Sequence, residues 1–352
     1  MAGGRRIMKR VIAMGILFTL FMTIMSACGN TGETKQDQEA QDMLSDSDKT
    51  EYEKGDMDNT EISGSYTIDT TIAEVAGNPV FEDYGRLIFP VDTGYYSGNT
   101  LGELRLTWYN NIDPDKTVEI ANYMKNHAKA GDTIFYDIYT EEEKAADPEK
   151  EDTGLFFFKG NPGERFAVCN AGGAFAYVGA MQDSFPHALE LSKQGYNAFA
   201  LVYRPGAQPA CEDLSRAIQF IFEHAGALEV NTDGYSLWGG SAGARMAAWV
   251  GSYGTAAFGA ADLPQPAAVV MQYTGLSEYS ADDPATFVAV GENDWIADWS
   301  VMKQRLDGMS ALGIDTEFHS YPGLSHGFGL GTGTAAEGWI DEAIAFWQRQ
   351  IL

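Results

Sequence analysis

The run Gly239-Gly240-Ser241-Ala242-Gly243 constrains this chain more than any other stretch. It fits G-x-S-x-G, the nucleophile elbow, in which a strand turns sharply into a helix and lifts a serine hydroxyl above a sheet. The residues two before and two after the serine crowd each other, so both must lack a bulky side chain. Here both are glycine. Tyr235-Ser236-Leu237-Trp238 reads as the strand, and Ala242 to about Val250 as the helix. Glycine is abundant, at 39 of 352 residues, so a Gly-rich turn with a surface serine competes with this reading. The partners of the serine decide between the two.

A serine hydroxyl needs a general base to take its proton, and the base needs a carboxylate to orient it. For a serine on such a turn the chain order is Ser, then Asp or Glu, then His. Of five histidines only His319 and His326 follow Ser241. His319 lies inside the alternating run Thr316-Glu317-Phe318-His319-Ser320-Tyr321, which predicts a strand with a packed or solvated imidazole. His326 lies just beyond, in the loop Gly323-Leu324-Ser325-His326-Gly327-Phe328-Gly329, where a ring can reach over the sheet edge. His326 is assigned as the base. The acid is Asp294, because Thr286-Phe287-Val288-Ala289-Val290 reads as a buried strand and Gly291-Glu292-Asn293-Asp294 follows at its end. Active groups in open α/β sheets collect outside the carboxyl ends of the strands. Glu292 and Asp298 are the nearest competitors, and a solvated loop carboxylate is the alternative fate of each. A tetrahedral intermediate also needs preorganised N–H donors. The strand Arg165-Phe166-Ala167-Val168-Cys169 leads into Asn170-Ala171-Gly172-Gly173-Ala174-Phe175, where small residues let backbone N–H groups face a substrate. The Ala242 N–H, next after the nucleophile, is the further donor.

On these residues the span from about Gly154 to Leu352 resembles the α/β-hydrolase superfamily, and within it the acetyl-esterase-like and hormone-sensitive-lipase-like branch. That branch carries an H-G-G-G-[FY] oxyanion loop. Aligned to it, Ala171 takes the His place, Gly172 and Gly173 the first two Gly, Ala174 the third and Phe175 the aromatic. The resemblance implies an oxyanion hole in Gly172, Gly173 and Ala174, with the Gly173 and Ala174 N–H groups as the donors carried over and Ala242 completing it. Ala171 and Ala174 depart from the pattern. Ser241, Asp294 and His326 each match their motif positions. The fold implied is α/β, a mainly parallel twisted sheet with helices on both faces. The chemistry implied is acyl transfer from an ester to water, with no cofactor.

The pattern along the chain agrees. Asn197–Tyr203, Tyr235–Trp238, Ala268–Thr274, Thr286–Val290 and Thr316–Tyr321 read as strands. Ser184–Gln194, Glu212–His224, Met302–Leu312 and Ala335–Gln348 read as amphipathic helices among them. Strands separated by helices imply a parallel sheet with right-handed crossovers. Thr153–Lys159 and Phe166–Cys169 are expected to pair as a hairpin. Residues 153–352 are thus read as the hydrolase domain, and 63–152 as a small appended segment, layer or lid. In that segment Leu87-Ile88-Phe89, Leu104–Tyr109 and Thr133–Tyr139 look like strands, and Thr117–Lys129 looks helical. Tyr95, Tyr96, Trp108 and Tyr109 can line a cleft or pack in a core.

The N-terminus reads as a targeting segment. Arg5, Arg6, Lys9 and Arg10 precede the apolar run Val11–Met25, too short to span a bilayer well. Residues 1–27 therefore read as a signal peptide. Met25-Ser26-Ala27-Cys28 resembles the bacterial lipobox, which implies lipidation at Cys28 and a membrane-anchored, exported protein; plain secretion is the alternative. Residues 28–62 read as a disordered acidic tether, with eleven acidic residues and three lysines between Asn30 and Glu61. A formal net charge of −27 disfavours nucleic acid as a partner. Of the three cysteines, Cys169 and Cys211 remain after Cys28. Export permits a bond between them, but the strand position of Cys169 favours a buried thiol. No Cys/His cluster has metal-ligand spacing. Three functions compete: an esterase acting on small-molecule or carbohydrate esters, a serine peptidase on the same fold, and a surface binding protein with an unused site.

Overall fold

The computed structural model describes residues 64–109 and 112–351. The targeting segment, Cys28 and the acidic tether lie outside the described residues. Eight strands build the main sheet: β1 (Phe135–Tyr136), β2 (Gly154–Phe158), β3 (Arg165–Asn170), β4 (Asn197–Val202), β5 (Asn231–Gly240), β6 (Ala268–Gln272), β7 (Ala285–Gly291) and β8 (Thr316–Tyr321). Their order across the sheet is β8-β7-β6-β5-β3-β4-β2-β1. The pairings β1–β2 and β2–β4 are antiparallel. All others are parallel.

This order corrects the expected hairpin. β3 is buried from Phe166 to Asn170 on both faces, so it needs a neighbour on each side. The crossover helix α2 (Ser184–Lys193; α1 is Pro114–Ala130) brings β4 parallel to β3, with Val168 opposite Phe199. That places β4 between β3 and β2. β2 then pairs antiparallel with the outer edge of β4, Leu155 opposite Leu201.

The sheet is covered on both faces, which explains its continuous apolar runs. The longer helices that follow are α3 (Ala207–Glu223), α4 (Ala242–Tyr253), α5 (Trp299–Ala311) and α6 (Trp339–Arg349). Leu237 and Trp238 point to opposite faces because strand side chains alternate. Trp238 meets Trp339 of α6, ring centroids 6.2 Å apart. Val269, in register with Leu237, lies against Gly251 of α4 on the other face. α3 buries Ala210, Leu214, Ala217, Ile218 and Ile221, a helical stripe of the expected period.

The segment before β2 is less separate than its composition suggests. Residues Ser65–Leu352 form one compact unit, and Phe135–Tyr136 enters the main sheet as its edge strand. α1 starts at Asp113, whose side chain accepts from the N–H groups of Asp115 and Lys116, and ends at Gly131, φ 87°. It docks on α2 through Lys116 Nζ and Glu190, 2.8 Å apart. Leu87 and Ile88 do not form a strand. They close a run of 3-10 turns from Pro79 to Ile88 that begins at Asn78, whose side chain accepts from Val80 N–H. A short apolar run satisfies burial equally well in a turn or a strand. Leu104–Tyr109 contributes only Arg105–Leu106, paired with Tyr96–Ser97. Cys169 and Cys211 are free, buried thiols. Among the described residues no helix is long and apolar enough to cross a membrane.

Candidate active site

Ser241 stands where β5 becomes α4, with φ 51° and ψ −112°. An L-residue there is strained by about 1–3 kcal/mol, and the packing explains why the turn persists. A Cβ on Gly239 would lie 2.3 Å from the Gly243 carbonyl carbon, and one on Gly243 would lie 2.1 Å from the Asn170 carbonyl oxygen. Both positions are therefore closed to any side chain. The Ser241 N–H donates to the Gln272 carbonyl at 2.9 Å, fastening the turn to β6. The hydroxyl sits at the N-terminus of α4, where unpaired N–H groups and the helix dipole favour negative charge.

His326 and Asp294 meet this hydroxyl. His326 Nε2 lies 3.0 Å from Ser241 Oγ. His326 Nδ1 lies 2.7 Å from Asp294 Oδ2. The other carboxylate oxygen of Asp294 accepts from the backbone N–H groups of Ile296 at 2.8 Å and Ala297 at 2.9 Å. The Asp294 carboxylate is fully buried and the imidazole nearly so. The loop carrying His326 is pinned: Gln182 Nε2 donates to the Gly327 carbonyl at 3.0 Å, and Gln272 Nε2 donates to the Gly329 carbonyl at 2.8 Å. The Asn293 N–H donates to the Leu324 carbonyl at 2.9 Å, tying the acid loop to the base loop. Glu292 and Asp298 stay outside this cluster. Glu292 accepts from the Ser320 hydroxyl, and Asp298 caps α5 through Ser300 N–H. His319 lies in β8, paired with Glu317 and Glu342.

The loop after β3 packs directly on the serine. A Cβ on Gly172 would come within 2.9 Å of Ser241 Cβ and 2.4 Å of Tyr109 Oη. Gly173 has φ 126°, and Ala174 and Phe175 have φ 54° and 59°. A left-handed alanine costs about 1–2 kcal/mol relative to glycine, so Ala174 keeps the turn at some strain. The N–H groups of Gly173, Ala174 and Ala242 have no acceptor among the described residues. Gly172 belongs to this loop but is not one of its unpaired donors. Its N–H donates to Asp183 Oδ2 at 2.7 Å and is therefore spent.

Asp183 was not legible as a site residue. Its carboxylate is wholly buried. Besides Gly172 it accepts from the hydroxyl of Tyr109 at 2.6 Å and from that of Tyr273. Burial raises its pKa above the usual carboxylate range, a rise opposed by the Tyr109, Tyr273 and Gly172 hydrogen bonds. Burial, with Asp183 nearby, raises both tyrosine hydroxyls well above their ordinary value, so they remain donors. The Tyr273 ring stands edge-on to His326, centroids 5.2 Å apart. Of the four aromatics flagged in the N-terminal segment, Tyr109 enters this core. Tyr95 stacks on Tyr177 at 4.7 Å, Trp108 lies 6.0 Å from the same ring, and Tyr96 lies 6.4 Å from Phe89. Trp108 and Trp295 remain 41% and 73% exposed. An imidazole linking a hydroxyl to a buried carboxylate can accept the hydroxyl proton and hold it. Unpaired N–H groups beside that hydroxyl can receive a developing oxyanion. Among the described residues no cluster of His, Cys, Asp and Glu could hold a metal ion.

Comparison with known proteins agrees with this architecture. Residues 164–264 match the family model described as BD-FAE. The acetyl ester-xyloside bifunctional hydrolase from Caldicellulosiruptor lactoaceticus superposes with a TM-score of 0.53 at 17% identity, covering 61% of this chain and 95% of that one. The chain has the α/β-hydrolase fold. A sugar hydrolase from Lactococcus lactis is also similar, with a TM-score of 0.49 at 19% identity over 56% of this α/β-hydrolase chain and 94% of its own. No curated protein matches the sequence.

Proposed function

We propose that this α/β-hydrolase-fold protein is a serine carboxylesterase acting on short-chain acyl esters, acetylated carbohydrate among them. The observation that carries the reading is the continuous chain Ser241 Oγ, His326, Asp294, linked at 3.0 and 2.7 Å. His326 takes the hydroxyl proton as Ser241 attacks the ester carbonyl. Asp294 holds the ring in the tautomer that leaves Nε2 free to accept, and stabilises the imidazolium. The N–H groups of Gly173, Ala174 and Ala242 receive the oxyanion. His326 then gives its proton to the leaving alcohol, and water hydrolyses the acyl-enzyme by the same route. The BD-FAE match, and a structural relative whose printed name is an acetyl ester-xyloside hydrolase, support esters of this kind.

Preference for short acyl groups is supported by the close packing of Gly172 on Ser241 and by the Tyr273 ring beside His326. Each further methylene would bring about 0.8 kcal/mol if the site could bury it. A site that cannot do so forfeits this gain and adds a clash. The test is kcat/KM over p-nitrophenyl esters from acetyl to decanoyl, with aminoacyl anilides alongside. We expect a maximum between acetyl and butyryl and a fall of about tenfold or more by octanoyl, a difference of ~1.4 kcal/mol. A maximum at decanoyl would refute the short-acyl reading, and faster anilide than ester cleavage would replace it with a peptidase. We further propose export and lipid anchoring at Cys28, on the basis of the targeting segment and lipobox-like Met25-Ser26-Ala27-Cys28. Cys28→Ser should release the protein or leave it unprocessed, and mass spectrometry showing a free mature N-terminus elsewhere in the wild type would exclude the anchor.

A further inference from the structure

Asp183 occupies the position just before α2 where an aspartate ordinarily caps the helix by accepting from its first N–H groups. Here it makes no such bond. Its carboxylate is turned the other way, into the interior, where three donors converge on it: Gly172 N–H and the hydroxyls of Tyr109 and Tyr273. The group is fully buried. A buried carboxylate is costly unless it is well bonded, and these three donors supply the bonding.

Those neighbours lie around the reacting groups. Gly172 immediately precedes Gly173 and Ala174, whose N–H groups have no internal acceptor among the described residues. A Cβ on Gly240, next to the nucleophile, would lie 2.7 Å from Asp183 Oδ2. Tyr273 stands edge-on to His326. A Cβ on Gly327, next to His326, would lie 2.7 Å from the Tyr109 ring. One carboxylate thus fixes the loop beside Ser241 and both rings that flank the base.

We propose that Asp183 is the positioning residue of the oxyanion loop: by holding the Gly172 N–H inward it aims the next two N–H groups at the reacting carbonyl oxygen. This inference rests on the serine-esterase reading of the same site. It identifies why Gly172, although part of the loop, is not itself a donor to substrate. Misaiming an oxyanion donor acts on the transition state more than on bound substrate, so the loss falls on kcat and spares KM.

The test compares wild type, Asp183→Ala, Asp183→Ser and Asp183→Asn on p-nitrophenyl acetate, with circular dichroism and thermal melting to establish folding. Alanine removes both acceptor oxygens and with them all three hydrogen bonds, and serine is too short to reach Gly172. Each is expected to lower kcat by about 10²-fold, the usual effect of one lost oxyanion donor, with KM changed less than about threefold. Asparagine keeps an oxygen for Gly172 and Tyr109 and can donate to the Tyr273 oxygen, so it should recover most of that loss. The serine variant carries the kinetic test if alanine does not fold. A folded serine or alanine variant with wild-type kcat overturns the proposal, as does a loss carried by KM, or a folded asparagine variant as impaired as alanine. If wild type hydrolyses no ester, the esterase reading fails separately. Crystal structures of wild type and variant then decide the inference, and residues 172–174 unmoved without the carboxylate would overturn it.

Discussion

Asparagine at position 294 separates shape from function. One carboxylate oxygen of Asp294 accepts from two backbone N–H groups, Ile296 and Ala297, while the other faces His326 Nδ1 at 2.7 Å. Asparagine has a single oxygen to place. The two backbone donors cannot rotate away, and leaving both opposite an NH₂ group would cost about 1–3 kcal/mol each. The oxygen therefore takes the backbone side and the NH₂ faces the imidazole. Because NH₂ only donates, Nδ1 must be bare, and the ring proton moves to Nε2. There it points at Ser241 Oγ, 3.0 Å away, and the ring can no longer accept the hydroxyl proton. The corresponding change in a serine protease triad costs about 10⁴-fold in kcat, which is ~5.5 kcal/mol of transition-state stabilisation. Asp294→Asn should show a loss of that order on p-nitrophenyl acetate at pH 7. Its melting transition should stay close to wild type, because the backbone bonds survive. A folded variant retaining more than about a tenth of wild-type kcat would refute the tautomer argument.

Two further perturbations probe the scaffold beneath the site. Burial lowers the pKa of His187 to about 3, against ~6.5 for an exposed histidine. The unfolded chain therefore gains a proton between these values that the folded chain does not. The associated stability is fully present above pH 6.5 and is lost as pH falls, about 2 kcal/mol by pH 5 and approaching ~5 kcal/mol at pH 3. Urea unfolding of His187→Gln should show a shallower decline between pH 7 and 5, and an unaltered decline would contradict the assignment. Gly243→Ala forces a Cβ to 2.1 Å from the Asn170 carbonyl oxygen. It should lower stability by more than about 1 kcal/mol, within the range for overpacking, and nearly abolish turnover by displacing Ser241. A melting temperature and kcat equal to wild type would show that the elbow is looser than its geometry implies.

The elbow was legible because its constraints are local. Gly239 answers a clash with Gly243 that five residues define, although Gly243 also answers the close approach of Asn170 from β3, and the chain order of the partners limited the base to two histidines. Asp294 was legible because a buried strand announces its own end. Asp183 was not, because an aspartate before an apolar helix has the pattern of an ordinary cap. Its tyrosine partners lie 74 and 90 residues away in sequence. Gly172 was assigned with its neighbours because small residues permit a loop to approach a substrate without saying which way each N–H points. The expected β2–β3 hairpin failed for a related reason. Adjacency in sequence suggested pairing, while burial of β3 on both faces required the βαβ crossover that inserts β4. The N-terminal segment was hardest to read, since its contribution to the main sheet is a two-residue edge strand and its contribution to the site is one buried ring, Tyr109.

The claim on which the rest depends is that Ser241 is the nucleophile, activated by His326. Mass-spectrometric mapping of a fluorophosphonate adduct tests it most directly. One phosphonyl group should be found per chain, on the peptide carrying Ser241. Labelling of a different serine, or a fully folded protein that takes no label, would contradict the account.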